Sequence, residues 1–296
     1  MPLTLAEATK LSQDMLLKGV VETIIEQSAV LRYLPFVQVV GNSLRYNQEA
    51  SAGSVDFYSV GDTWTESAMT VTEVSTRLAI LGGDADVDAF LQQTYSDPND
   101  LRALVVAAKS KALANKFNDT FFNGDSAVNA KQFDGLKKLS AGTRTMNKGA
   151  NGELLEIEHL DELIDMIKPG TPHVLFMSKR TRRKLSNLRR TSGSVLETSL
   201  DMFGRRVLTY DGIPVEVDDF ILDTYAQGSS GATTSRIYAL QFGPGRGVQG
   251  FERGGIAVEE VGALETKNAH RYRVKWYVTV ALTRAQGAAV LSGITA

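Results

Sequence analysis

The 296-residue sequence predicts an α+β fold. Three observations carry that prediction. Stretches of helical period and of strand period are mixed, without the regular βαβ rhythm of a doubly wound sheet. One segment, residues 97–123, reads as a single helix that is apolar on more than one side. Another, residues 271–283, alternates like one long strand, with Val274, Trp276, Val278 and Val280 on one face.

Composition sets the frame. Lys plus Arg number 32 and Asp plus Glu 34, so the formal net charge is -2, and 43% of residues are apolar. That is enough to bury a sizeable core, and it excludes a disordered chain. With Cys at 0, disulfide staples and thiolate metal sites are excluded too. A charge near zero argues against a surface devoted wholly to nucleic acid. No stretch approaches the roughly 18 apolar residues of a spanning helix. Residues 1–10 lack the basic cluster and apolar run of a signal peptide. No membrane partner is expected, and a cytosolic site of synthesis fits best.

The elements follow in order. Thr4 and Glu7 have the spacing of a capping box, and Leu5, Ala8, Leu11, Met15 and Leu16 recur at helical period. Pro35 stops this first helix. Residues 36–40 and 43–46 read as strands around a Gly41-Asn42 turn. Residues 50–70 carry little apolar content, and residues 70–81 again alternate. Together they suggest a long hairpin whose faces are buried on another chain. Asp97, Pro98 and Asp100 introduce the long helix, about 37 Å at 1.5 Å per residue. Leu101, Leu104, Val105, Ala108 and Ala112 form one apolar stripe of it, and Leu113, Phe117 and Phe121 a second. Asn123-Gly124 ends it. Beyond it, residues 156–167 read as a helix, 173–177 as a buried strand and 179–190 as a basic helix. Strands 207–210 and 213–217 flank an Asp211-Gly212 hairpin turn. Residues 237–240, 257–261 and 288–291 complete the strands.

Catalytic signals are scarce. Gly243-Pro244-Gly245-Arg246-Gly247 lacks the spacing of a phosphate loop, and Pro244 removes an amide, so it reads as a tight turn. Asp84, Asp86 and Asp88 begin like a calcium loop, but Ala89 and Tyr95 stand where Gly and Glu are needed. His159, His173 and His270 belong to no ligand motif. The pairs Asp218-Asp219 and Glu259-Glu260 are adjacent, so on strands they point to opposite faces and make poor acid/base pairs. No catalytic residue, cofactor site or metal site is nominated.

Charge is more informative. Residues 49–100 hold ten acids and one base, Arg77, while residues 179–206 hold nine bases and two acids. The basic run has three readings: a solvated helix face, a surface complementary to the acidic run across a subunit contact, or a DNA-facing surface.

The order of parts resembles the major capsid protein of tailed bacteriophages, with the Hong Kong 97-type fold. Several strings look like its Gp7-type branch: residues 3–8 (LTLAEA), 58–66 (YSVGDTWTE), 81–88 (LGGDADVD), 117–125 (FNDTFFNGD) and 133–136 (FDGL). The resemblance covers nearly the whole chain. It implies an N-terminal arm over 1–40 and an extended loop over 41–82 that lies on a neighbouring subunit. It implies a peripheral domain from 83–149 and 251–287 containing the spine helix 97–123. The axial domain would be 150–250 with 288–296. The implied function is structural and not enzymatic: self-assembly as pentamers and hexamers into an icosahedral shell around double-stranded DNA.

Partners implied are other copies of the chain, a portal, a decoration protein and DNA held without sequence preference. The chain opens at the N-arm without a long charged leader, so a separate scaffolding protein is expected. The virion is the implied location, after assembly in the host cytoplasm. Some relatives weld their shells through a Lys of the extended loop. This sequence has no Lys between Lys18 and Lys109, so that bond is not available here. Tyr58 and Trp64 are the expected apolar anchors of the loop on a neighbour, with Asp62 and Glu66 beside them. Arg182, Arg183, Arg189 and Arg190 are expected to face a neighbour or DNA. An encapsulin-type shell with the same fold is the alternative, and a soluble hydrolase or transferase a more distant one.

Overall fold

The structure is a computed structural model that describes residues 28–51, 55–68, 70–95, 101–142, 144–191, 197–200, 206–229 and 232–295. The helix expected near the N-terminus and the cap at residues 96–100 lie outside them. In chain order the described elements are α1 (Ala29–Tyr33), β1 (Phe36–Gln38), β2 (Ser43–Ser51), β3 (Thr70–Arg77), β4 (Ala79–Asp88), α2 (Ala89–Tyr95) and α3 (Leu101–Asn123). There follow α4 (Leu136–Leu139), β5 (Thr145–Asn147), β6 (Glu153–Leu154), α5 (Ile157–Asp165), β7 (Val174–Met177) and α6 (Lys179–Thr191). The chain continues with β8 (Glu197–Leu200), β9 (Arg206–Tyr210), β10 (Ile213–Val217), β11 (Tyr225–Gln227) and β12 (Ala232–Leu240). It closes with β13 (Val248–Ala263), β14 (Ala269–Leu282) and β15 (Ala288–Thr295).

These strands form three sheets. One has the order β1-β13-β14-β4, a larger one runs β5-β15-β12-β7-β10-β9-β8 with β11 and β6 beside it, and β2-β3 stand apart as a ribbon. Mixed pairing and helices gathered on the sheets without βαβ repetition make this the expected α+β architecture.

The helix α3 joins the two larger sheets. Its second apolar stripe is fully buried: Phe117 lies 4.9 Å from Trp276 of β14, while Phe122 lies 5.8 Å from Phe176 of β7 and 5.2 Å from Tyr238 of β12. Aromatic rings at these separations add packing beyond their buried area. The first stripe behaves differently. Leu104, Ala108 and Ala112 face outward from the single chain, Leu104 being 60% exposed. A second core lies on the other face of the larger sheet, where Leu160 and Leu163 of α5 and Leu185 of α6 meet Leu175 and Met177.

Two local readings are changed. The strands around Gly41-Asn42 do not pair with each other. β1 runs parallel to β13, Phe36 opposite Gly250, whereas β2 turns away to pair with β3, Ser43 opposite Arg77. The expected single strand 70–81 is two strands, because at Leu78 the chain leaves the ribbon and enters the four-stranded sheet. The Leu78 amide donates to the Asn42 carbonyl at 3.0 Å at that crossing. Gly82 then lets β4 approach β14 closely: a Cβ there would stand 2.5 Å from the Val274 carbonyl oxygen. The turn between β9 and β10 forms as expected, with Asp211 at φ 50° and Gly212 at φ 73°.

Candidate functional site

No described helix is long and apolar enough to cross a membrane, and no group of three or more His, Asp or Glu side chains among the described residues could hold a metal ion. The features that stand out are surfaces.

The first is the β2–β3 ribbon and its tip. The ribbon is rooted on the chain's own body. Gln48 Nε2 donates to the Leu282 carbonyl at 2.7 Å, and Thr76 Oγ1 lies 3.0 Å from Thr279 Oγ1. Burial against this root pushes the Tyr46 phenol up to about 12, partly offset by its hydrogen bond to the Leu282 backbone. The tip is different. Tyr58 stacks on Trp64 with centroids 4.5 Å apart and planes 20° apart, and the Thr65 amide donates to Tyr58 Oη at 3.0 Å. Asp62 builds the turn between them: its Oδ2 accepts from the Ser59 amide and its own amide donates to the Ser59 carbonyl at 3.1 Å. Gly61, at φ 97°, supplies the left-handed backbone this turn needs. Trp64 is 77% exposed, Phe57 and Val60 are fully exposed, and Glu66 lies beside them in solvent. A rigid aromatic pair held out among exposed apolar and acidic side chains is a surface suited to a partner.

The second is the charged face of the four-stranded sheet. Asp84 and Asp86 do not form a free acidic edge. Arg273 holds Asp84 through two bonds of 2.7 and 2.9 Å, and Arg271 holds Asp86 through two of 2.7 and 2.8 Å. Each arginine hydrogen-bonds its carboxylate and keeps it below the usual carboxylate range. Glu73 of the ribbon meets Arg45 at 3.3 Å. The acidic run is therefore partly neutralised within its own chain. Glu259 pairs with Lys275 and Glu260 meets Arg102 at 3.8 Å, on opposite faces as adjacent strand residues must be.

The third is α6. Ser178 caps it, its Oγ accepting from the Thr181 amide at 3.2 Å and donating to Asp223 at 2.5 Å. Thr181 and Leu185 face the core. Arg183 and Arg190 are exposed on the opposite side, and Arg182 is half-buried. The side chain of Arg189 lies outside the described residues. Arg182, Arg183 and Arg190 line an open groove of about 530 Å³ together with Lys184 and Ser186. The tip and α6 are separate surfaces in a single chain. The three histidines serve local structure: His159 Nδ1 accepts from the Glu156 amide at 3.4 Å, and His173 Nδ1 accepts from the Phe242 amide at 3.2 Å. His270 lies 3.8 Å from Glu260. Gly243–Gly247 closes the tight turn between β12 and β13, with the Arg246 and Gly247 amides donating to the Gly243 carbonyl.

Sequence reasoning missed the root contacts of Gln48 and Tyr46, which carry no local signal. It also missed the arginine clasps, for which one signal exists: Asp84 and Asp86 alternate in step with Arg271 and Arg273.

The model of the phage capsid family matches residues 11–293. The chain belongs to the phage capsid family. Its fold is the Hong Kong 97-type capsid fold. The chain is similar to the holo-SrpI encapsulin complex of Synechococcus elongatus, with TM-score 0.71 and 18% identity over 90% of this chain and 86% of that one. It is similar to the capsid of an empty GTA particle, with TM-score 0.67 and 13% identity over 91% and 90% of the two chains. A chain of Microbacterium phage Oxtober96 gives TM-score 0.63 and 15% identity over 89% and 90%. No curated protein sequence matches at a significant level. The exposed tip and the charged helices are the surfaces that stand out in this chain.

Proposed function

We propose that this chain is the major capsid protein of a tailed bacteriophage, of the Gp7-type branch, and that copies assemble as pentamers and hexamers into an icosahedral shell around double-stranded DNA. The observation that carries the reading is the family match over residues 11–293 of 296, in a chain whose ribbon tip is almost unburied by its own body. In this reading residues 1–40 are the N-arm and 41–82 the extended loop. The peripheral domain is 83–149 with 251–287, and the axial domain is 150–250 with 288–296. Tyr58 and Trp64 anchor the loop on a neighbour, with Asp62 and Glu66 at the rim. Mechanism is then assembly thermodynamics. Many weak contacts, each repeated around the shell, make closure cooperative. A near-neutral chain suits a DNA container, since a strongly basic wall would retain the genome too tightly. A separate scaffolding protein, a portal and a decoration protein are the further partners of this reading, and the virion is its location.

Light scattering followed by negative-stain microscopy tests it. Closed polyhedral shells or capsomer rings are expected. A monomer or dimer that never enlarges, even with crowding or scaffold, would overturn it. A second reading, an encapsulin-type compartment, is favoured by the similarity to the SrpI complex. Nuclease-protected DNA inside particles purified from the native host supports the phage reading, and packaged protein supports the compartment.

A further inference from the structure

The shell of the proposed function needs contacts between copies, and the inference below rests on that reading. α5 and α6 pack on the same face of the larger sheet, where Leu160, Leu163 and Leu185 enter one core. Away from that core the two helices carry opposite charge. On α5, Glu158, Asp161, Glu162 and Asp165 recur at i, i+3, i+4 and i+7, so they share one face, and all four are exposed. On α6, Arg183 and Arg190 stand seven residues apart on the exposed side, and the helix contains no Asp or Glu. Arg182 flanks them, and its buried Nε has no hydrogen-bond partner among the described residues.

The two faces do not neutralise each other within the chain. Glu162 turns to Lys148 at 2.5 Å, and Asp161 accepts from Tyr210 Oη at 2.6 Å. Glu158, Asp165, Arg183 and Arg190 form no ion pair among the described residues. Of the β4 acids, Asp86 and Asp84 are held by Arg271 and Arg273, and Asp88 is turned to the Phe90 and Leu91 amides of its own chain. We infer that the acidic outer face of α5 on one copy docks against the basic outer face of α6 on a second copy. The occupant follows from charge: the chain itself supplies, on one face of the larger sheet, an acidic and a basic surface of which Glu158, Asp165, Arg183 and Arg190 are joined to no ion-pair partner among the described residues. Unlike faces meeting between identical subunits also fix register and orientation, because like-charged juxtapositions are penalised.

Three variants test this: Glu158→Lys with Asp165→Lys, Arg183→Glu with Arg190→Glu, and all four together. The first two should lower assembly at least tenfold by light scattering at low salt. The fourfold swap, and an equal mixture of the two double variants, should recover it. Thermal melts of the unassembled proteins should match the parent, since all four positions are exposed. Because the parent has no Cys, copies carrying Asp165→Cys co-assembled with copies carrying Arg183→Cys should give a disulfide-linked dimer on a non-reducing gel. Normal shells from every charge variant, with no cross-link, would overturn the docking while leaving the shell reading intact. The same holds if the arginine variant assembles normally but loses DNA retention, which would give α6 to nucleic acid. No assembly of the parent under any condition would instead sink the shell reading itself.

Discussion

Arg273 clasps Asp84 at two points across neighbouring strands, Nε to Oδ1 at 2.7 Å and Nη2 to Oδ2 at 2.9 Å. The two residues are direct partners in the β14–β4 register, and two pairs along the same strands Arg271 holds Asp86. The planar guanidinium matches the carboxylate fork, so the pairs pin register as well as charge.

The clasp has a pH signature. The folded-state carboxyl of Asp84 sits below its ordinary value of 3.8, chiefly through the hydrogen bonds from Arg273. A lowered folded value means the stabilisation is complete above the unfolded carboxylate range and is lost as pH falls through the folded value. Asp84→Asn should therefore melt below the parent at pH 7, and the gap should narrow as pH falls below the ordinary carboxyl value of 3.8. A gap that stays constant from pH 7 to pH 3 would assign the loss to something other than the ion pair.

Asp218 has the opposite sign. It is buried at the end of β10, its Oδ1 accepting from the Phe220 amide at 2.9 Å, and burial raises its carboxyl from 3.8 to about 6. The unfolded chain then loses its proton first, so stability falls as pH rises from about 4 to about 6. Asp218→Asn keeps an acceptor for Phe220 and removes the buried charge. The variant should be more stable than the parent at pH 7, by on the order of 2 kcal/mol, with no gain at pH 4. Urea unfolding at both values checks this, and equal gains at both would sink the explanation.

Phe122 is the joint between the long helix and the larger sheet. It is fully buried against Phe121, Phe176 and Tyr238. Phe122→Ala should cost about 3–5 kcal/mol, because it removes transfer energy and leaves a cavity between elements that cannot close over it. Denaturant midpoints measure it. A loss under 1 kcal/mol would mean that the helix is not the joint.

The parts legible in the sequence are those whose signal is local. β14 was plain because Val274, Trp276, Val278 and Val280 alternate into the core without interruption. β13 was legible only near its end, since its register shifts between Arg253 and Ile256 and Gly254-Gly255 break the alternation there. The parallel pairing of β1 with β13 joins residues about two hundred positions apart, and no local pattern encodes it. The two apolar stripes of α3 were visible, yet which one the chain buries is decided by Trp276, Phe176 and Tyr238, all distant in sequence. At the candidate surfaces the aromatic tip and the basic helix were readable from composition alone. Which acids remain free was not, because the arginines that take Asp84 and Asp86 arrive by tertiary pairing.

Trp64 separates folding from assembly. Its ring stacks on Tyr58 and otherwise faces solvent, so the body of the subunit owes it little. The ribbon beneath is held independently, by Gln48 on Leu282 and Thr76 on Thr279. Trp64→Ala should therefore leave the melting temperature of the unassembled chain within the range of a surface substitution, about 0.5 kcal/mol. If the tip docks on a neighbour, the same change removes a large aromatic anchor from a contact repeated at every subunit, and anchors of that kind carry about 2 kcal/mol or more each. Repetition around a ring multiplies that loss, so assembly should weaken by far more than one contact's worth. Scattering at matched concentrations gives the assembly term and calorimetry the folding term. A variant that assembles normally would place the tip outside the interface, and one that unfolds would place Trp64 in the subunit's own core.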